Sequence, residues 1–332
     1  MTQGVPHSAL GFVKANGIEL AYDTFGHQSD PPLLLIMGLG VQMIVWDEKF
    51  CEQLAARGYW VIRFDNRDVG LSENFGKKVV PNISAILEAQ SRGEALVVSY
   101  TLTDMADDAM GLLDGLSIES AHVVGLSMGG MIGQIMALRF PERIRSLTSV
   151  MSTTGNPKLP PPQPEALSVL VIPIPAERKA YIESWLNVWR VLSGPKIPVE
   201  ETLARKWAEL SYQRGLNPQG FLRQMAAVIA SGCRKEALKG LTVPTLVLHG
   251  DADPLVPVEC GIDTANSIPG AKLHIIEGMG HALPEALWPT VIEAIAGHAS
   301  QGNDYGDGGG IGTVKGNQSR CRILSGEFAS SP

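Results

Sequence analysis

The sequence predicts an α/β fold: a mostly parallel sheet flanked by helices, with a block of helices inserted into it. Three observations carry this expectation. Short, branched-rich apolar runs alternate with helical patterns. The runs are apolar at consecutive positions, as strands buried on both faces of a parallel sheet are. Between residues 152 and 241 the helical pattern continues with no strand-like run.

Taken in order, strands are expected over Leu33 to Met37, Trp60 to Phe64, Ala121 to Val124, Leu147 to Met151, Thr245 to Leu248 and Leu273 to Ile276. Thr103 is positioned to cap a helix in which Met105, Ala109, Leu112, Leu113 and Leu116 recur at helical spacing. Asp104, Asp107 and Asp108 lie near its positive end. A second helix, Gly129 to Phe140, is apolar almost all round and stops at Pro141, so it belongs under the sheet. After a Pro-rich connection from Asn156 to Pro175, helical segments carry Trp185, Trp189, Trp207, Tyr212, Phe221 and Met225. An aromatic-rich insertion between two strands sits where a pocket roof would lie. A further insertion, Glu73 to Thr101, either adds to that roof or forms a long loop. The expected domains are a core in two parts, 1–151 and 242–300, a helical cap over 152–241, and a polar, Gly-rich, disordered tail over 301–332.

The chain has 332 residues, 45% of them hydrophobic, and is too apolar for disorder. With 27 Lys and Arg against 34 Asp and Glu, its net charge is −7, and no stretch gathers the cations into a stripe. Nucleic acid and anionic lipid are therefore not expected partners. No apolar run approaches the roughly 20 residues of a spanning helix. No basic region followed by an apolar one opens the chain, so the expected compartment is the cytoplasm. Cys51, Cys233, Cys260 and Cys321 lack any Cys-x-x-Cys spacing, and the first three read as buried structural thiols. Composition leaves the oligomeric state open.

Gly125-Leu126-Ser127-Met128-Gly129 is a G-x-S-x-G element. The bare pattern can arise by chance in a chain with 36 glycines, and such a serine can simply cap a helix. Here, however, it joins an expected buried strand to an expected buried helix. That corner puts a serine on a strained turn with its hydroxyl exposed and a helix N-terminus beside it.

A serine hydroxyl needs a base to take its proton and an acid to orient that base. Six of the seven histidines have plainer readings: His122, His249 and His274 lie in or beside strands, while His7, His27 and His298 are terminal or at the surface. His281 sits in Gly278-Met279-Gly280-His281-Ala282-Leu283-Pro284, a loop just after the last strand. The acid is Asp251 or Asp253. Asp253 is preferred because Pro254 fixes its loop and two further residues carry it toward the histidine, leaving Asp251 for local turn or capping bonds. The oxyanion donors are expected to be the N–H of Met128, after the serine, and that of Leu39 in Met37-Gly38-Leu39-Gly40. The same glycines also suit a plain strand-to-helix turn.

Gly125 to Gly129, Asp253, the loop ending at Pro284, the turn Phe64-Asp65-Asn66-Arg67-Asp68-Val69-Gly70-Leu71-Ser72 and the segment Trp189 to Gly194 together resemble the α/β-hydrolase superfamily. Within it they resemble the cofactor-free carboxylesterases similar to aclacinomycin methylesterase. The likeness runs from about Gly11 to His298. It implies eight mostly parallel strands, a helical cap and ester hydrolysis through an acyl-enzyme. Three features depart from the wider pattern: Met37-Gly38 replaces His-Gly, as it does in the methylesterase-like members; Asp68 replaces a glycine; and Glu73 to Thr101 is longer. Relatives that hydrolyse epoxides or haloalkanes carry Asp where this chain has Ser127.

The expected function is hydrolysis of small to medium apolar carboxylic esters by Ser127, His281 and Asp253, a chemistry that calls for neither cofactor nor metal. The same constellation also suits a cofactor-free perhydrolase, lactonase or amidase. A small-molecule receptor with little turnover is the alternative from another class.

Overall fold

In the computed structural model, residues 4–76, 80–194 and 196–303 are described. The reading of a tail from 301 falls outside them from residue 304 on, as does Cys321.

The chain opens with a hairpin, β1 (Gly11–Ala15) and β2 (Ile18–Phe25), turning at Asn16-Gly17. Both turn residues have positive φ, 48° and 80°, the backbone that a two-residue turn between right-twisted strands requires. Then follow β3 (Pro32–Ile36), α1 (Glu48–Ala55), β4 (Trp60–Phe64), α2 (Ile83–Ser91), α3 (Leu102–Gly115), β5 (Ala121–Leu126), α4 (Met128–Arg139) and β6 (Ile144–Val150). Five helices come next: α5 (Pro164–Leu170), α6 (Arg178–Leu192), α7 (Glu201–Arg214), α8 (Pro218–Ala230) and α9 (Lys235–Leu238). The chain returns to the sheet with β7 (Thr245–Gly250), α10 (Val258–Ser267), β8 (Lys272–Ile276) and α11 (Trp288–Asn303).

The eight strands form one sheet in the order β1-β2-β4-β3-β5-β6-β7-β8. Pairing is antiparallel across β1, β2 and β4 and parallel from there on. Alternate residues of each central strand feed two cores. Leu34, Ile36, Val123 and Leu147 pack with α3 and α4, while Leu33, Leu35, Val124 and Leu248 pack with α1 and α11. Each such buried Leu or Val contributes roughly 1.5–3 kcal/mol of transfer free energy. The expectation of two buried faces fails at β8, where Leu273 and Ile275 are 40% and 37% exposed: it is the edge strand, with a neighbour on one side only.

Helix α3 starts earlier than expected. Its N-cap is Thr101, whose N–H and hydroxyl both reach the Asp104 carboxylate at 2.7 and 2.8 Å. Thr103 has Ala106 at the corresponding position and no such partner, which is why the cap lies two residues upstream. Helix α11 runs to Asn303, past the expected start of the tail at residue 301. None of residues 80–101 lines the main cavity. Instead, α2 lies against α8, where Gln90 Nε2 donates to the Ile229 carbonyl at 3.2 Å.

Candidate active site

Strand β5 ends and α4 begins around Ser127, which adopts φ 53°, ψ −114°, a left-handed backbone that side-chain-bearing residues rarely take. The elbow is possible because its flanks are glycines. A Cβ on Gly125 would strike the Gly129 carbonyl, and one on Gly129 would strike the Ile36 carbonyl of β3. The Ser127 N–H donates to the Val150 carbonyl at 2.9 Å, and the Ser152 hydroxyl donates to the Ser127 carbonyl at 2.7 Å, so β6 holds the corner from the side.

His281 and Asp253 come from the loops after β8 and β7. Asp253 Oδ1 accepts the N–H groups of Leu255 and Val256 at 2.9 and 2.8 Å, which leaves Oδ2 free for His281 Nδ1 at 2.7 Å. On the other side of the ring, Nε2 lies 3.0 Å from Ser127 Oγ. Three residues separated by 126 and 28 positions in sequence are thus joined in one chain of hydrogen bonds. Asp253 is 5% and His281 7% exposed, so the bond between them lies out of bulk water and is electrostatically stronger for it, while the bond from His281 to Ser127 is part-buried and faces the cavity. The inserted helices take part in this placement: the His281 N–H donates to the Leu192 carbonyl at the end of α6 at 2.7 Å.

The other expected residues fall as follows. Met128 is the first residue of α4, so its N–H is among those the helix leaves without an intrahelical acceptor. Leu39 lines the cavity beside Ser127, on a loop held by the Asn66 side chain, which donates to the Met37 carbonyl at 3.0 Å. Asp251 does not make a local turn or capping bond. Its Oδ1 accepts the Gly278 N–H at 2.6 Å and ties the β7 loop to the histidine loop, because the ends of adjacent parallel strands bring the two together.

His249 is fully buried; its Nε2 donates to the Val256 carbonyl at 2.7 Å and closes the loop that carries Asp253. Burial pushes its imidazole below the ordinary histidine range; Asp253, 3.7 Å away, opposes that shift without overcoming it. His298 is buried rather than at the surface, with Nε2 at 3.2 Å from the Pro244 carbonyl, since α11 turns that face toward the sheet. His274 lies on the exposed edge strand. Cys51 and Cys260 are buried, but Cys233 is exposed, because it lies in the turn between α8 and α9.

A cavity of about 220 Å³ opens over Ser127 and His281. Its walls come from both halves of the chain: Leu39 and Met151 from the sheet side, Trp185, Trp189, Trp207 and Phe221 from the inserted helices. Met225 is not among its lining residues. Tyr212, Tyr181, Trp185, Trp189 and Trp207 form a continuous series of rings with centroids 5.8–6.0 Å apart. Such rings combine large apolar area with fixed geometry. Among the described residues, no group of three or more His, Cys, Asp or Glu side chains could hold a metal ion.

Residues 31–285 match the family described as alpha/beta hydrolase fold. The chain belongs to the α/β-hydrolase family. It is 31% identical over 301 residues to a rhodomycin D methylesterase of Streptomyces peucetius, a match covering 85% of this chain and 95% of that protein. It is also 31% identical over 216 residues to a 2-hydroxymuconate semialdehyde hydrolase of Pseudomonas sp. (strain CF600), covering 62% and 69%. Among solved structures, this α/β-hydrolase superimposes on a meta-cleavage product hydrolase of Pseudomonas fluorescens IP01 with a TM-score of 0.67 at 20% identity, over 88% of this chain and 97% of that one. The last likeness is one of fold. No helix among the described residues is long and apolar enough to cross a membrane.

Proposed function

We propose that this α/β-hydrolase is a serine carboxylesterase acting on small to medium apolar esters, with residues 152–241 serving as the cap over its pocket. The observation that carries the reading is the unbroken run of hydrogen bonds from Asp253 through His281 to Ser127 at 2.7 and 3.0 Å. In the proposed mechanism, His281 Nε2 takes the Ser127 proton as Oγ adds to the ester carbonyl carbon. Asp253 holds the Nδ1–H tautomer and stabilises the imidazolium that forms. The N–H groups of Leu39 and Met128 receive the oxyanion. The C–O bond of the ester breaks, the alkoxide takes the proton back from His281 and leaves as alcohol, and Ser127 is acylated. Water, deprotonated by His281, then adds to the acyl carbon; collapse releases the carboxylic acid and restores Ser127.

The likeness to methylesterases, which covers 85% of the chain, supports ester cleavage. The cavity supports an apolar acyl or alkyl group. An engineered void of about 150 Å³ already holds a benzene ring, so the space here admits more than a single ring.

The test is intact-mass spectrometry after reaction with a fluorophosphonate, with turnover measured on p-nitrophenyl esters of increasing acyl length. One adduct on Ser127, many turnovers on short or medium esters, and neither in a folded Ser127→Ala variant is the expected result. Labelling with a single turnover would favour the receptor alternative, and absence of labelling would overturn the reading of the elbow as a nucleophile.

A further inference from the structure

Helix α8 turns one stripe of side chains toward the loop after β3 and the turn after β4: Asn217, Gly220, Phe221 and Gln224 recur along it at i, i+3, i+4 and i+7. Asn217 Nδ2 donates to the Asp68 carbonyl and carboxylate, both at 3.1 Å. A Cβ on Gly220 would strike the Asp68 carbonyl, so the helix sits directly on that turn. The Phe221 ring occupies the space that a Cβ on Gly40 would need, and Gly40 has φ 67°. Gln224, fully buried, completes the stripe. Its Oε1 accepts the Gly40 N–H at 2.7 Å and its Nε2 donates to the Arg67 carbonyl at 2.8 Å. A donor on one side and an acceptor on the other leave the amide a single orientation.

We propose that Gln224 is a positioning residue for the oxyanion-forming loop: from the inserted helices it holds the Gly40 N–H and so keeps the neighbouring Leu39 N–H aimed at the reacting carbonyl. This rests on the ester-hydrolase reading above. The loop Met37-Gly38-Leu39-Gly40 carries two glycines and no histidine to brace it. Asn66 fastens the Met37 end, and Gln224 fastens the Gly40 end. Leu39 lies between these two attachments. An oxyanion donor acts only when held within about half an ångström of its productive position. Losing one attachment therefore weakens the step in which charge develops, while the apolar cavity that binds the ester is unchanged. The helices of 152–241 consequently take part in the chemistry through the backbone of another part of the chain.

The experiment compares Gln224→Met, which keeps length and removes both hydrogen bonds, with Lys206→Met, which removes a tie between α7 and Asp47 (2.9 Å) away from the loop. Rates are measured per active site titrated with phosphonate, together with KM, the phosphonylation rate, melting temperature and hydrogen exchange at the Gly40 amide. Gln224→Met is expected to lose roughly tenfold or more in kcat and in phosphonylation, with KM within about threefold and faster exchange at Gly40. Lys206→Met should stay within about twofold in every rate. A Gln224→Met enzyme with kcat per site within threefold of the parent, or one no more impaired than Lys206→Met, overturns the proposal. Should Gln224→Met not fold, wild-type exchange decides: a Gly40 amide that exchanges as fast as an unbonded loop amide overturns it as well. A wild-type enzyme inert toward both phosphonate and esters would overturn the hydrolase reading itself, which distinguishes that failure from a failure of Gln224 alone.

Discussion

Asp253 and Asp251 stand two residues apart on one loop and hold different things. Asp253 meets His281, whereas Asp251 holds the Gly278 N–H. Asp253→Asn places an amide against Nδ1 and favours the wrong imidazole tautomer, so kcat on p-nitrophenyl butyrate is expected to fall roughly 10³–10⁴-fold. Asp251→Asn keeps a carbonyl oxygen for Gly278 and is expected to cost less than tenfold. Equal losses from the two variants would reverse the assignment of the acid. At this scale the proposed site was largely legible. A serine between glycines at a strand-to-helix corner, a histidine in a Gly-rich loop and an aspartate before a proline each carry a local signal. The partner of Asp251 was not legible, because it is 27 residues away and is set by the pairing of β7 with β8. Nor was the role of His249, which depends on the depth of its burial.

At the scale of elements, the turn after β4 shows two effects in competition. Asp68 has φ 66°, a conformation that costs a residue with a Cβ about 1–2 kcal/mol and in which glycine is at ease. Its carboxylate, however, pairs with Arg223 of α8 at 2.7 and 2.8 Å, with both side chains fully buried. Removing one partner of a buried pair costs about 3–5 kcal/mol, so the ion pair outweighs the strain. Asp68→Gly is therefore expected to be net destabilising, lowering the melting temperature by roughly 2–5 °C, and the double change with Arg223→Leu should recover most of that loss. A rise in melting temperature on Asp68→Gly alone would show that strain dominates. Burial works against the charged form of Asp68, but Arg223, the Phe75 N–H and the Tyr100 hydroxyl outweigh it and hold the carboxyl below its ordinary range. The stabilisation is thus complete above the unfolded value, about 4, and is lost as pH falls through the lower folded value.

Other elements differ in how openly the sequence announces them. The Asn16-Gly17 turn is a strong local hairpin signal that strand-run reading passed over, because β1 and β2 alternate in burial instead of forming continuous apolar runs. The cap of α3 at Thr101 was also readable, from Asp104 three residues on. The exposure of β8 was not, since a strand's own residues do not say whether it has one neighbour or two.

For the whole molecule, the cavity is the feature built jointly by the sheet and the inserted helices. Trp189 lines it on the side of α6 and touches both Trp185 and Trp207. Trp189→Ala is expected to raise kcat/KM for p-nitrophenyl decanoate severalfold relative to butyrate, as the wall recedes; an unchanged ratio would mean that Trp189 does not bound the acyl group. By itself the sequence determined the fold class, the inserted block of helices and the three residues proposed for the chemistry, because each is written in local periodicity or in a short motif whose geometry follows from the backbone. Only the tertiary structure decided that residues 80–101 lie against α8 rather than roofing the pocket, that Asp68 answers to Arg223, and that Gln224 reaches the loop of Leu39. Those pairings join residues 155 and 184 positions apart, and a hydrogen bond or ion pair of that span depends on how elements pack, which no stretch of sequence records.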